Sequence, residues 1–223
     1  MSEVLLDPQA IALSLRRMAA EIAERGRRAP SSRGDVPIIV GIRRGGDPLA
    51  KRLAAFVGEL TGETPKVGAV DVTLYRDDAA TALPNPRIGP SRIPVAIDGR
   101  RVILVDDVLH TGRTIRAALD ALLDFGRPRA VELAVLIDRG GRELPIAATY
   151  VGLEVDLAKG KRVEVMVKKK GPAEGDDEPW AIVVASPPVP APSGSTRGSV
   201  ATHASPSIVG DASEPDPGKE GAQ

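Results

Sequence analysis

The segment from Val102 to Thr114 reads Val-Ile-Leu-Val-Asp-Asp-Val-Leu-His-Thr-Gly-Arg-Thr. Four apolar residues suited to a buried strand run into two adjacent acids, Asp106 and Asp107. A turn of Val108, Leu109, His110, Thr111 and Gly112 follows, and Arg113 and Thr114 lead into a helical pattern. A helix start offers unpaired N–H groups and the positive end of the helix dipole, which together favour an anion. Gly112 lets backbone approach a ligand closely, and Thr111 and Thr114 add hydroxyl donors. The acid pair just before them accepts hydrogen bonds from a sugar diol. One segment therefore suits a ribose 5-phosphate. A plain strand–turn–helix capped by Thr111 or Thr114 would share part of this pattern, but not the acid pair after an apolar run. It is neither a Walker A loop nor a Gly-x-Gly-x-x-Gly fingerprint.

Two further segments supply cations. Gly41-Ile42-Arg43-Arg44-Gly45-Gly46 follows another apolar run, and Arg43, Arg44 and Gly45 suit a diphosphate. Asp71 to Asp78 carries Arg76 and opens a stretch with Pro84, Pro86, Gly89 and Pro90. A connection of that length is uncommon without a role, and Arg76 is placed to close over a diphosphate while the loop excludes water.

The elements that must hold these residues alternate. Asp7-Pro8 opens a helix with Ile11, Leu15, Met18 and Ile22 at helical spacing. Pro37 to Val40 predicts a buried strand, Pro48 to Leu60 a helix, and Val67 to Tyr75 a strand. Arg101 to Val105 predicts a strand, Thr114 to Phe125 a helix, and Val131 to Ile137 a strand. Short strands follow near Tyr150 and over Val163 to Val167. Such alternation with continuous apolar strands predicts an α/β fold, a mainly parallel sheet flanked by helices. Ligands in such sheets sit beyond the carboxyl ends of the strands.

Composition narrows the function further. The 223 residues include no Cys and 2 His, which excludes disulfides, thiolate metal sites and a Cys nucleophile; no protein metal site is expected. Aromatics make up 2% of the chain, which argues against a base-stacking platform. No apolar stretch approaches a membrane span and no secretory pattern opens the chain, so a cytoplasmic protein without membrane contact is expected. Residues 1–171 hold 28 Lys and Arg against 22 Asp and Glu; residues 172–223 hold 2 against 8. The second part is rich in Pro, Gly and Ser and is expected to be a disordered acidic tail behind a folded domain of residues 1–171. Within it, Trp180 to Val184 forms an apolar island.

The Val102–Thr114 segment resembles the 5-phosphoribosyl-1-pyrophosphate (PRPP) motif of type I phosphoribosyltransferases. Asp71 to Asp77, Val105 to Ala118, Leu136 to Ile146, Gly41 to Arg43 and Leu49 to Ala54 resemble, more narrowly, the bifunctional pyrimidine-operon regulators with uracil phosphoribosyltransferase activity. The similarity runs from about Leu6 to Val155. It implies the type I phosphoribosyltransferase fold with a flexible loop over the site, and synthesis of UMP and diphosphate from uracil and PRPP with Mg2+. It also implies binding of pyrimidine-operon leader mRNA, with UMP as signal, to promote transcription termination, and a homodimer or higher homo-oligomer. On this resemblance Asp106, Asp107 and Arg76 are catalytic. Arg43, Arg44, Gly45 and residues 108–114 hold PRPP or UMP, and Asp138 and Arg139 form the base loop. Arg16, Arg17 and Arg142 belong to the RNA-binding face. The family carries Arg where Gly45 stands and His where Ala20 and Gly141 stand. Two other readings fit the residues: a nucleotide-sensing RNA-binding regulator without significant catalysis, and a purine-base salvage enzyme.

Overall fold

The computed structural model describes residues 3–28, 36–43, 45–73, 75, 89–158, 161–168 and 178–185. Arg44, Arg76 and the loop of residues 77–88 lie outside the described residues, as does the end of the chain from residue 186.

Strand β1 (Glu3–Leu6) leads into helix α1 (Pro8–Arg28). Asp7 caps that helix, its carboxylate accepting the Ala10 N–H at 2.7 Å, and Pro8 fits the first helical position because its missing N–H is not needed there. Strand β2 (Ile38–Ile42) and helix α2 (Gly46–Thr61) follow, then β3 (Val67–Val70). Strand β4 (Arg101–Leu109) runs into helix α3 (Arg113–Leu123), and β5 (Ala130–Asp138), β6 (Tyr150–Glu154), β7 (Lys161–Lys168) and β8 (Glu178–Ala185) complete the order.

The main sheet has the order β3-β2-β4-β5-β6, with every pairing parallel. Its strands alternate between two cores. Ile39, Ile103, Val105, Ala134 and Leu136 pack with the buried stripes of α1 and α2. Val40, Val102, Leu104, Leu133 and Val135 pack with Ile115, Ala118 and Leu122 of α3. The expected parallel sheet with helices on both faces is present, and β4 stands at its centre.

Three expectations need correction. The strand expected over 67–75 ends at Val70. There the Asp71 carboxylate takes the Thr73 N–H at 2.9 Å, and that Asx turn diverts the backbone from the ladder. Strand β4 runs past Val105 to Leu109, because its register with β5 continues from Arg101↔Ala130 to Leu109↔Asp138; the acids lie within the strand. The boundary at 171 falls short, because the apolar island Trp180–Val184 forms part of β8, which pairs antiparallel with both β1 and β7. Among the described residues no helix is long and apolar enough to cross a membrane.

Candidate active site

The parallel strands β2, β4 and β5 end side by side, and their loops converge there. At the end of β4, Asp106 is buried at 5% exposure and its carboxylate accepts the Asp107 N–H at 3.0 Å. The Asp107 carboxylate accepts the Val108 N–H at 2.8 Å. Burial pushes the Asp107 carboxyl above its ordinary range, against the hydrogen bonds from Asp106 and Val108. The two acids thus sit fixed at the strand end, one deep and one half-exposed.

Beyond them the backbone opens into a cleft of about 400 Å³ lined by Val108 to Ile115 and Glu143. Helix α3 starts from Gly112, which is left-handed at φ 91° and has no side chain to cap the helix. Thr111 is therefore not the N-cap; its hydroxyl accepts the Arg113 N–H only at 3.4 Å. The start of α3 faces this cleft, the arrangement that favours an anion. Arg113 Nε donates to Glu143 at 2.7 Å, so a cation and an anion already meet at the cleft's rim. Glu143 escaped the sequence reading of the site, although it lies in the Leu136 to Ile146 stretch that carries part of the resemblance.

The loop after β2 contributes closeness rather than charge. A Cβ on Gly45 would stand 2.1 Å from Asp107 Oδ2, and one on Gly46 would stand 2.1 Å from the Val105 carbonyl oxygen. Only residues without side chains let this loop lie on the end of β4. The Arg43 guanidinium goes elsewhere: its Nε is 3.8 Å from Asp47, and it lines a separate cleft of about 310 Å³ with Lys51 and Arg92. Burial raises the Asp47 carboxyl, with Arg43 and Lys51 pulling the other way. Near Arg43, Asp71 accepts the Gly89 N–H at 2.7 Å, while its own N–H donates to Ser91 Oγ at 2.9 Å. These bonds pin both ends of the 76–88 loop. Burial disfavours charge on Asp71, but the bonds from Thr73 and Gly89 and the Arg43 charge outweigh it and hold the carboxyl low.

The loop after β5 lies against the turn after β4. Arg139 N–H donates to the Leu109 carbonyl at 3.1 Å, and Glu143 and Leu144 N–H both donate to the Thr111 carbonyl. Arg142 stitches the rest: Nη1 donates to the His110 carbonyl at 2.9 Å, Nε to the Ile146 carbonyl at 3.0 Å, and Nη2 to the Asp138 carboxylate. Burial works against charge on Asp138, yet the Arg142 contact and the Gly140 N–H hold its carboxyl low. A cleft of about 530 Å³ opens here, lined by residues 138–142 and 154–156. Arg139 reaches across to donate to the Lys161 carbonyl at 2.9 Å, and its buried Nε has no hydrogen-bond partner.

The three arginines expected on an RNA-binding face are all engaged within the chain. Arg16 lies over the Phe56 ring at 4.2 Å and donates to Glu59 at 2.8 Å. Arg17 donates to Glu21 and to the Val151 and Gly152 carbonyls on the open edge of β6. Arg142, with its guanidinium on loop carbonyls and Asp138, braces the β5–β6 loop.

Comparison with known proteins agrees with this geometry. A family profile described as "Phosphoribosyl transferase domain" matches residues 1–168. A "Bifunctional protein PyrR" from Pelotomaculum thermopropionicum is 48% identical over 165 residues, covering 74% of this chain and 88% of the relative. Proteins of the same name from a Roseiflexus species and from Bacillus cereus are 52% and 48% identical, over 71% and 73% of this chain and 84% and 88% of theirs. Among solved structures, the hypoxanthine phosphoribosyltransferase of Trypanosoma cruzi superposes with a TM-score of 0.56 at 20% identity, covering 70% of this chain and 79% of that one. The Staphylococcus aureus hypoxanthine phosphoribosyltransferase gives 0.54 at 21%, covering 72% and 80%. At such identities these two structures bear on the fold alone. The profile and the relatives settle the family: the chain belongs to the phosphoribosyl transferase domain family and, within it, to the bifunctional PyrR proteins.

Proposed function

We propose that the chain transfers a phosphoribosyl group from PRPP to uracil, giving UMP and diphosphate, and that it regulates pyrimidine-operon transcription by binding leader mRNA. One observation carries the enzymatic reading. The acid pair at the end of β4 and the cleft at the start of α3 adjoin along one segment, which offers acceptors for a ribose diol beside a cradle for its 5-phosphate. In this reading Asp106 and Asp107 accept hydrogen bonds from the ribose hydroxyls and offset positive charge developing at C1′. Backbone groups from 108 to 114, with the Thr111 and Thr114 hydroxyls, hold the 5-phosphate. Displacement at C1′ needs positioning and charge stabilisation, not a protein nucleophile. The base lies by the cleft at Asp138 and Arg139. Arg44 and Arg76 are assigned to the departing diphosphate from the sequence alone, and Arg43 joins them only by leaving Asp47.

Among the described residues no group of three or more His, Cys, Asp or Glu stands ready to hold a metal ion. Mg2+ bound together with PRPP would supply charge neutralisation for the departing diphosphate, beside the arginines assigned to it. The test is a panel of uracil, hypoxanthine and guanine with PRPP and Mg2+. UMP formation with little purine turnover supports the reading, and a preference for a purine overturns it.

The regulatory half rests on the relatives' shared name. Arg16 and Arg17 must exchange their internal partners for phosphates if they contact RNA. Affinity for the organism's own pyrimidine leader RNA is expected to fall with salt, with a log–log slope of about −0.7 per phosphate contact. A flat salt response, or no binding at low salt, removes the regulatory role. Self-association into a homodimer or larger homo-oligomer belongs to the same reading and is checked by light scattering.

A further inference from the structure

His110 is the one histidine among the described residues, and the phosphoribosyl mechanism above leaves its imidazole without a task. Its backbone belongs to the turn between the acid pair and the start of α3, and it lines the phosphate cleft. Its side chain is exposed and lies over the loop after β5: Nε2 stands 2.8 Å and Cδ2 2.9 Å from where a Cβ on Gly141 would be. Any other residue at 141 would push the ring away, and Gly141 sits at φ 74°, a conformation that favours glycine. The His110 carbonyl is held by Arg142 Nη1, and the flanking Leu109 and Thr111 carbonyls are held by Arg139, Glu143 and Leu144. The backbone under the imidazole is thus held, and the ring is solvent-reachable between the phosphate cleft it lines and Gly141 of the base cleft.

The reaction has a proton to dispose of at this seam. Ring N1 of uracil carries hydrogen, and N1 becomes the nucleophile only when that proton has left. We propose that His110 is the general base that takes the N1 proton of uracil. The imidazole accepts the proton as uracil settles and before C1′ closes on N1. The freed N1 electron pair then forms the bond to C1′ while the C1′–O bond to diphosphate breaks. Diphosphate leaves with that electron pair, and the imidazolium returns its proton to solvent. The inference rests on the uracil reading of the site.

The surroundings suit a base. The charged groups about the ring are Arg139, Arg142 and Glu143 from the loop after β5, with Arg113 of α3 already paired to Glu143. Burial, then the two arginines, pushes the imidazole below its ordinary value, with Glu143 opposing. It is therefore neutral and able to accept a proton near pH 7.

The experiment compares His110→Ala with the parent enzyme, using uracil and 5-fluorouracil as substrates. Fluorine makes the N1–H more acidic, so this base needs less help. With uracil, kcat/KM is expected to fall by about 100-fold. With 5-fluorouracil it falls several-fold less. The parent's rate falls on the acid side, as His110 becomes protonated, and the variant lacks that limb. UMP affinity stays within about threefold, because the backbone cradle is intact. Retained uracil turnover, equal losses for the two bases, an unchanged acid limb, or a parallel loss of UMP affinity each overturns the proposal. A parent enzyme that makes no UMP from uracil sinks the uracil reading itself, and this is visible before the variant is made.

Discussion

Replacing Asp106 and Asp107 together by Asn is expected to lower uracil turnover by about a thousandfold while leaving the fold intact. Asn keeps the shape of both side chains and an oxygen to accept the Asp107 and Val108 N–H bonds at 3.0 and 2.8 Å. What disappears is the negative charge beside C1′ and the ability to take two hydroxyl donors. Losing a single preorganised electrostatic contact costs about 10²–10³ in rate, and two acids on one diol act as a unit. Stability should move the other way. The folded-state value of Asp107 lies above the unfolded one, so the native state holds its proton more tightly. Raising the pH through that value therefore costs the parent stability, because the charged carboxylate is less favourable in the fold than in the unfolded chain. At neutral pH, Asp107→Asn alone should match or exceed the parent's melting temperature while losing activity. Steady-state kinetics with uracil and PRPP, beside thermal unfolding monitored by circular dichroism, checks both halves. Near-full turnover in the double variant would refute the assigned roles.

Much of this site could be read before the structure because its signal is local. An apolar run that stops on two acids, then turn residues and a helical repeat, places acids and cleft in one continuous segment. The helical spacing of Ile11, Leu15, Met18 and Ile22 announced α1 for the same reason. The misses share a non-local cause. Strand β8 lies in a stretch whose Pro, Gly and Ser content denies it a core of its own. It becomes a strand because β1, at the far end of the described chain, and β7 lie on either side of it. The direction of Arg43 depends on Asp47, one helical turn further on, which competes with any diphosphate for the guanidinium. Spacing alone shows two arginines and two glycines after a strand, and it does not say that Gly45 lies against Asp107 and Gly46 against the Val105 carbonyl. The occupied state of Arg16, Arg17 and Arg142 is likewise set by partners on other elements.

Glu132 illustrates the same blindness on the stability side. In the sequence it is one charged residue near a strand start; in the fold it is the anchor of a buried network. Arg101 gives Glu132 two bonds, at 3.0 and 2.8 Å, and Tyr150 Oη donates to it at 2.5 Å. Arg101 also donates to Tyr150 Oη at 2.8 Å and to the Ile22 carbonyl at 3.3 Å, tying α1 to β4, β5 and β6. The Arg101 side chain is 4% exposed. Burial opposes charge on Glu132, yet Arg101 and Tyr150 outweigh it and hold the carboxyl low, while burial and Glu132 drive the Tyr150 hydroxyl up to about 12. Glu132→Gln leaves a buried guanidinium without its counter-charge, which costs about 3–5 kcal/mol. For a chain of this size that lowers the melting temperature by about 10 °C. The sign with pH follows from the depressed value: the contribution is complete above the unfolded carboxyl value of 4.5 and is lost as pH falls through the lower folded value. The gap between parent and variant should therefore close on acidification. Removing both charges by Arg101→Met with Glu132→Leu should destabilise less than Glu132→Gln alone, because no lone buried charge remains. The network sits at the strand ends far from Asp106, so uracil turnover at low temperature should stay near the parent's in every variant. A double variant less stable than Glu132→Gln would show that the network holds the fold by its bonds and not merely by cancelling charge.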